Sequence, residues 1–167
     1  TSETEDAQYL TDIVDITAGD DFTAALDDKG RVWMFGNNAS GLLGISKTDD
    51  IQKYPQRVLA GKSKSTTMYL ENIVSIAAGA HHMLALDKNG SVWAWGDNSR
   101  GQLGEGTYED VLEADGTKTS ATTRTIPVAV DIQDVEKIYA GYNNSAAIKT
   151  DGTPWAVSYT HLRAHET

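Results

Sequence analysis

Short apolar runs separated by glycine-bearing turns recur along the chain, and none of them has a helical period. In the middle of the sequence, Ile73 to Gly79 is one run, His82 to Leu86 a second, and Val92-Trp93-Ala94-Trp95-Gly96 a third. Runs of about four to eight residues, bounded by Gly, Asn and Asp and rich in β-branched and aromatic side chains, predict strands. Between the second and third runs stands Asn89-Gly90, and the matching dipeptides elsewhere are Lys29-Gly30 and Asp151-Gly152. Such dipeptides predict tight hairpins with both central residues at positive φ. Later come the Pro-led runs Pro55 to Val58 and Pro127 to Val130. Each predicts a fourth strand that opens on Pro or lies at an exposed edge. The polar stretches 45–68 and 105–125 predict loops projecting from the strands.

The same grammar returns at a fixed interval. Residues 9–44 and 69–104 align without a gap, and 18 of 36 positions are identical. A third copy begins 62 residues after the second, with Val135, Ile138, Ala140-Gly141, Gly152 and Trp155 in register, and breaks off after Ala156. Four short strands repeated at a fixed period predict an all-β fold of antiparallel four-stranded sheets, the blades of a β-propeller. The organisation is then a lead-in at 1–8, a first repeat at 9–68, a second at 69–133 and a partial third at 134–157. Residues 158–167 depart from the repeat and look like a translated sequencing adaptor, so they are set aside from the fold. Without an initiator Met, the chain reads as cut from something longer.

One pattern is specific enough to carry a resemblance. The second unit reads Ala78-Gly79-x-x-His82-x-Leu84-Ala85-Leu86, then Asn89-Gly90-x-Val92-Trp93-x-Trp95-Gly96-x-Asn98-x-x-Gly101-Gln102-Leu103-Gly104. The first holds the frame with Gly19, Gly30, Trp33, Gly36, Gly41 and Gly44, and the third with Gly141, Gly152 and Trp155. This resembles the regulator of chromosome condensation repeat over residues 9–156. The resemblance implies a seven-bladed propeller, of which this chain is an incomplete fragment, with the remaining blades of a longer chain as its natural neighbours. It implies a hydrogen-bonding role within the blade for His82. Phe22 and Asn144 stand at the His82 position, Leu42 at that of Gln102, and Pro154 at that of Val92.

The residues that could carry chemistry read as structural. The glycines need positive φ or close strand approach, not a phosphate cradle, since no helix follows them. The alternating Trp33, Phe35, Trp93, Trp95 and Trp155 are expected to pack between blades, with the terminal Trp33 and Trp155 short of cover. His81 and His82 are adjacent, so they point to opposite faces of a strand and cannot form a two-His metal pair. Asp28-x-Gly30-x-x-Trp33 resembles an Asp-box turn only faintly, and Arg31, Arg57, Arg100 and Arg124 are scattered. Asp27-Asp28, Asp49-Asp50 and Glu109-Asp110 are expected to be solvated loop charge. No catalytic set, metal site or cofactor is predicted.

Composition narrows the function classes. The chain has 167 residues and no cysteine, which removes disulfides, thiolate metal sites and a Cys nucleophile. No apolar run approaches a membrane span. The expected function is a non-catalytic scaffold that binds a protein partner. The alternatives are nucleotide exchange on a small GTPase and a glycan-active enzyme whose site lies in further blades. The acidic, Thr- and Asp-rich composition leans to an extracellular or cell-surface setting. With 14 Lys and Arg against 24 Asp and Glu, the net charge is −10. Nucleic acid is not an expected partner, because phosphate binding rests on clustered cations. We therefore expect no detectable affinity for duplex DNA at physiological salt. A salt-sensitive micromolar complex in a gel shift would contradict this reading.

Overall fold

The computed structural model describes residues 9–39, 41–46, 51–61, 68–106, 111–112, 118–119 and 122–157, and no helix occurs among them. The lead-in 1–8, the tail 158–167, Asp49-Asp50 and Glu109-Asp110 lie outside the described residues. Strands β1 (Ile13–Ala18), β2 (Phe22–Asp27), β3 (Val32–Gly36) and β4 (Gln52–Arg57) form one antiparallel sheet in chain order. Next come β5 (Ile73–Ala78), β6 (His82–Asp87) and β7 (Val92–Asp97). The short β8 (Val111–Leu112) and β9 (Lys118–Thr119) pair with each other, and β10 (Thr123–Ala129) adds to β7 to complete the second sheet. The third sheet is β11 (Val135–Ala140), β12 (Ser145–Lys149) and β13 (Pro154–Val157). The first three strands of the first two sheets start 60 residues apart and share a register: Ala25 pairs with Trp33 as Ala85 does with Trp93. β5 packs against β1 on one side and β11 on the other, so the first strand of each blade faces its neighbours most closely.

Three local details differ from the sequence expectations. The hairpin turns are not two-residue turns with paired positive φ. Only the glycine is left-handed, at φ 74 for Gly30, 80 for Gly90 and 84 for Gly152. Gly30 N–H donates to the Asp27 carbonyl and Asp27 N–H to that of Arg31, which closes a type I turn followed by one left-handed residue. The fourth strands take the edge position expected of a Pro-led run but do not open on the proline. Pro55 and Pro127 lie inside β4 and β10, where the register jumps between Gln52 and Gln56 and between Arg124 and Val128. A bulge in an edge strand needs no ladder donor from proline, which is why the ring is accommodated there. The stretch 105–125 is not loop throughout, since it holds the β8–β9 ribbon and the start of β10. At its base a bidentate pair joins Arg124 to Glu105, with N···O distances of 3.0 and 2.7 Å, and both side chains are largely buried.

Alternation along the strands gives each blade two apolar faces, and neighbouring blades bury one against the other. Ala24, Leu26, Val32 and Met34 of the first blade cluster with Ile73, Ile76, Met83, Ala85 and Trp95 of the second. Leu84, Leu86, Val92 and Ala94 of the second cluster with Val135, Ile138, Ala147, Trp155 and Val157 of the third. The expectation that both terminal tryptophans lack cover is therefore half wrong. The tryptophans all point back towards the preceding blade, so Trp155 is buried at 6% exposure and only Trp33 lies on an open face. Trp95 is fully buried and its indole N–H donates to the Leu42 carbonyl at 2.9 Å. We expect Trp95→Ala to lower the unfolding free energy by about 3–5 kcal/mol, read as a drop in the urea midpoint, because it empties the first seam.

Candidate functional site

The repeat-motif residues gather along the two seams between blades. After β3 and β7 the chain makes the same double turn. Asn38 and Asn98 each take the N–H of the leucine five residues on, Leu43 and Leu103, on the side-chain oxygen at 3.1 Å. Their backbone carbonyls accept from Gly41 and Gly101 at 2.9 Å. The loop so formed lies on the next blade. A Cβ placed on Gly44 would stand 3.0 Å from Trp95 Nε1, and one on Gly104 only 2.5 Å from the Trp155 ring. Gly36 and Gly96 lie against the backbone of Asp21 and His81 within their own blades. Gly19, Gly79 and Gly141 have ordinary φ and are close-approach positions, with the Phe22, His82 and Asn144 side chains folded over them.

His82 does not work within its own blade. Its Nε2 is 2.9 Å from Ser145 Oγ of the third blade, and that hydroxyl donates its one hydrogen to the Gln102 carbonyl at 2.7 Å. The hydroxyl must then accept from the ring, so Nε2 carries the proton and Nδ1 is a bare lone pair without a partner. Burial holds the His82 pKa down at about 4, against a weaker opposing pull from Asp97.

The ends of the same strands carry an exposed row. The β1–β2 turn offers Asp20 and the β5–β6 turn His81, with 3.6 Å between the carboxylate and the imidazole. The β11–β12 turn adds Tyr142, edge-on to His81 at 6.4 Å between centroids. Backbone bonds lock the row from beneath, from Asp20 N–H to the Ala80 carbonyl and from Ala80 N–H to that of Tyr142, both 3.1 Å. No cluster of His, Cys, Asp or Glu able to hold a metal occurs among the described residues.

Family models place this arrangement. The regulator of chromosome condensation (RCC1) repeat matches residues 29–86 and 89–148, and a second RCC1-repeat description matches 13–42 and 73–102. The chain belongs to the RCC1-repeat family. It is similar to protein pim1 of Schizosaccharomyces pombe, 28% identical over 145 residues, covering 86% of this chain and 26% of pim1. It is also similar to the human X-linked retinitis pigmentosa GTPase regulator, 31% identical over 139 residues, 83% of this chain and 12% of that protein. Among solved structures, Prp20p of Saccharomyces cerevisiae superposes with a TM-score of 0.70 at 22% identity, over 95% of this chain and 38% of that one. The chain thus spans well under half of the relatives it matches.

Within the RCC1 repeats, sequence reasoning missed two sets of contacts. Asp27 is not solvated charge: it is buried, and its carboxylate accepts from Lys29 and Arg31 backbone N–H, Arg31 Nε and Trp33 Nε1 at 2.6–3.0 Å. Burial pushes its carboxyl up, but the hydrogen bonds from Trp33 and Arg31 outweigh it and leave the pKa below its ordinary value. Asp87 repeats the arrangement with Asn89, Ser91 and Trp93. The signal was an Asp six residues before Trp in both full units, hidden because the third has Lys149 there. Arg31 and Arg57, scattered in sequence, converge on the Trp33 ring at 5.5 and 5.9 Å.

The seam makes stability sensitive to acid. The unfolded His82 takes up a proton near its ordinary value of 6.5, the folded one only near 4. Between those values the unfolded state binds more protons, so acidification favours unfolding. We expect up to about 3 kcal/mol of stability to be lost as pH falls from 6.5 to 4. His82→Phe, the residue of the first repeat, should remove that share. The check is urea unfolding at several pH values on both proteins.

Proposed function

We propose that this chain is a non-catalytic RCC1-repeat module that binds a partner protein through the row Asp20, His81 and Tyr142. The observation that carries this reading is the division of labour within each blade. The motif residues are spent on the seams, while the turns above them hold exposed polar and aromatic side chains in a fixed line. Tyrosine beside hydrogen-bonding groups on a rigid scaffold suits protein recognition. Regulation of a small GTPase is the second reading. It is supported by the name of one relative as a GTPase regulator, and by Prp20p having been described with its binding to Gsp1p and histones. The two readings use the same scaffold and differ in partner.

The test compares capture of proteins by the wild type with capture by Tyr142→Ser and by His81→Asp, which places a second carboxylate beside Asp20. Near-UV circular dichroism should be unchanged, because these side chains are exposed. We expect both variants to lose the specifically captured proteins. Undiminished capture would move the binding surface elsewhere, and accelerated release of labelled nucleotide from a small GTPase would favour the second reading.

A further inference from the structure

The two seams place different chemistry at one equivalent point. A Cβ on Gly19 would meet the Phe22 ring and the Ala80 carbonyl, and one on Gly79 the His82 ring and the Gly141 carbonyl. Phe22 and His82 are thus held alike, each between its own turn and the blade that follows. In those following blades Met83 pairs with Ala78 as Ser145 pairs with Ala140, so Met83 and Ser145 match. Phe22 and Met83 are buried in one apolar cluster. In the second seam both members are exchanged, for His82 and Ser145, and both are again buried. An apolar pair closes the first seam at this point, and a titratable ring closes the second.

That ring has no acceptor waiting for a second proton. Ser145 Oγ takes the Nε2 hydrogen, because its own goes to the Gln102 carbonyl, so an added proton must sit on the buried, unpartnered Nδ1. Two surrounding groups favour the charged ring, and both are engaged elsewhere. The Asp97 carboxylate, at the end of β7, accepts from Ser99 N–H, Ser99 Oγ and Gln102 Nε2, all at 2.9 Å. The Asn144 carbonyl, from the third blade, accepts from Gly141 N–H at 2.9 Å. Burial outweighs both, and the neighbouring His81 adds to it. A charged His82 is at ease only in water, which reaches it when the third blade lifts from the second. The first seam has no such group. Phe22 takes no proton, and the titratable pair across that seam, Asp20 and His81, is exposed and of opposite sign when the imidazole is protonated.

We propose that the seam between the second and third blades is an acid-operated latch: protonation of His82 opens it and bares the apolar face of Leu84, Leu86, Val92 and Ala94, while the first seam stays shut. The opening is regional, one blade lifting from its neighbour ahead of global unfolding. It depends on the exchanged pair inside the seam and not on what the chain binds.

The test is residue-resolved amide hydrogen exchange on the full chain at pH 7 and pH 5, with each rate divided by its intrinsic value. Four seam-crossing amides report. Ile73 N–H, bonded to the Gly30 carbonyl, and Asp20 N–H, bonded to that of Ala80, span the first seam. Val135 N–H, bonded to the Gly90 carbonyl, and Ala80 N–H, bonded to that of Tyr142, span the second. With the folded ring titrating at about 4 and the released ring at its ordinary 6.5, protection at the second seam should fall about twentyfold from pH 7 to pH 5. The first-seam amides should hold theirs. The change with pH is the readout, so a blade held more loosely at every pH does not imitate it. The double variant His82→Phe with Ser145→Met gives the second seam the chemistry of the first and should abolish the response, with near-UV circular dichroism checking its fold. An equal loss at both seams, or none at the second, in the wild type overturns the latch. A response that survives in the folded double variant also overturns it, by assigning the proton to another group.

Discussion

The bond from the Trp95 indole to the Leu42 carbonyl ties a side chain of one sheet to a loop of the one before it, and the rest of the architecture hangs on contacts of that type. A four-stranded sheet with apolar residues on both faces cannot leave both in water. Its solution here is to stack, with the loop Asn38–Gly44 folding over the next blade's tryptophan and Leu43 filling the gap beneath. The glycines of that loop are a steric requirement of the stacking. Gly44 and Gly104 permit an approach that any side chain would block. Fold, register and end-face exposure follow from repeating one seam.

The blades keep the seam's shape while varying its chemistry. The residue folded over the turn glycine is Phe22, then His82, then Asn144. Phenylalanine fills the space, and histidine fills it and also reaches Ser145 in the next blade. Asn144, with no described blade beyond it, is exposed. The histidine version carries a cost the phenylalanine version lacks, since its Nδ1 lone pair is buried without a donor. Its hydroxyl partner, in turn, is fixed by a carbonyl of the same loop that the other seam uses to hold Trp95. The two seams thus solve one geometric problem with different polar groups.

Much of the fold was legible because strand period, turn glycines and repeat spacing are all local signals. Nine strands of the three blades fall where apolar runs stand, and the fourth strands β4 and β10 begin in polar sequence ahead of the Pro-led runs that mark them. The β8–β9 ribbon was missed because Val111-Leu112 and Lys118-Thr119 are too short for alternation to show. The turn type was misread because Asn-Gly suits two turn geometries, and Asp27 and Asp87 choose between them by holding the backbone of the turn. Contacts across blades were hidden for a different reason. Nothing in the run Gly79 to His82 says that the imidazole leaves its own sheet. The convergence of Arg31 and Arg57 on Trp33 likewise depends on β4 pairing beside β3, a long-range fact. The direction of the tryptophans, and hence the cover over Trp155, required the stacking order.

The Glu105–Arg124 clamp has a consequence for how such a chain can change. It joins Glu105, just past the Asn98–Gly104 turn, to Arg124 in β10, and Asn98 braces it with a 3.0 Å hydrogen bond to the same carboxylate. With the ends tied, the intervening residues form a closed loop whose length enters the free energy only through a logarithm, roughly 0.6 kcal/mol for each doubling. The first blade has no such pair, since Ile45 stands at the position of Glu105, and its connection is the shorter of the two. The clamp converts one rim of the second blade into an insertion port. New sequence can be trialled there while the seams below feel little of it.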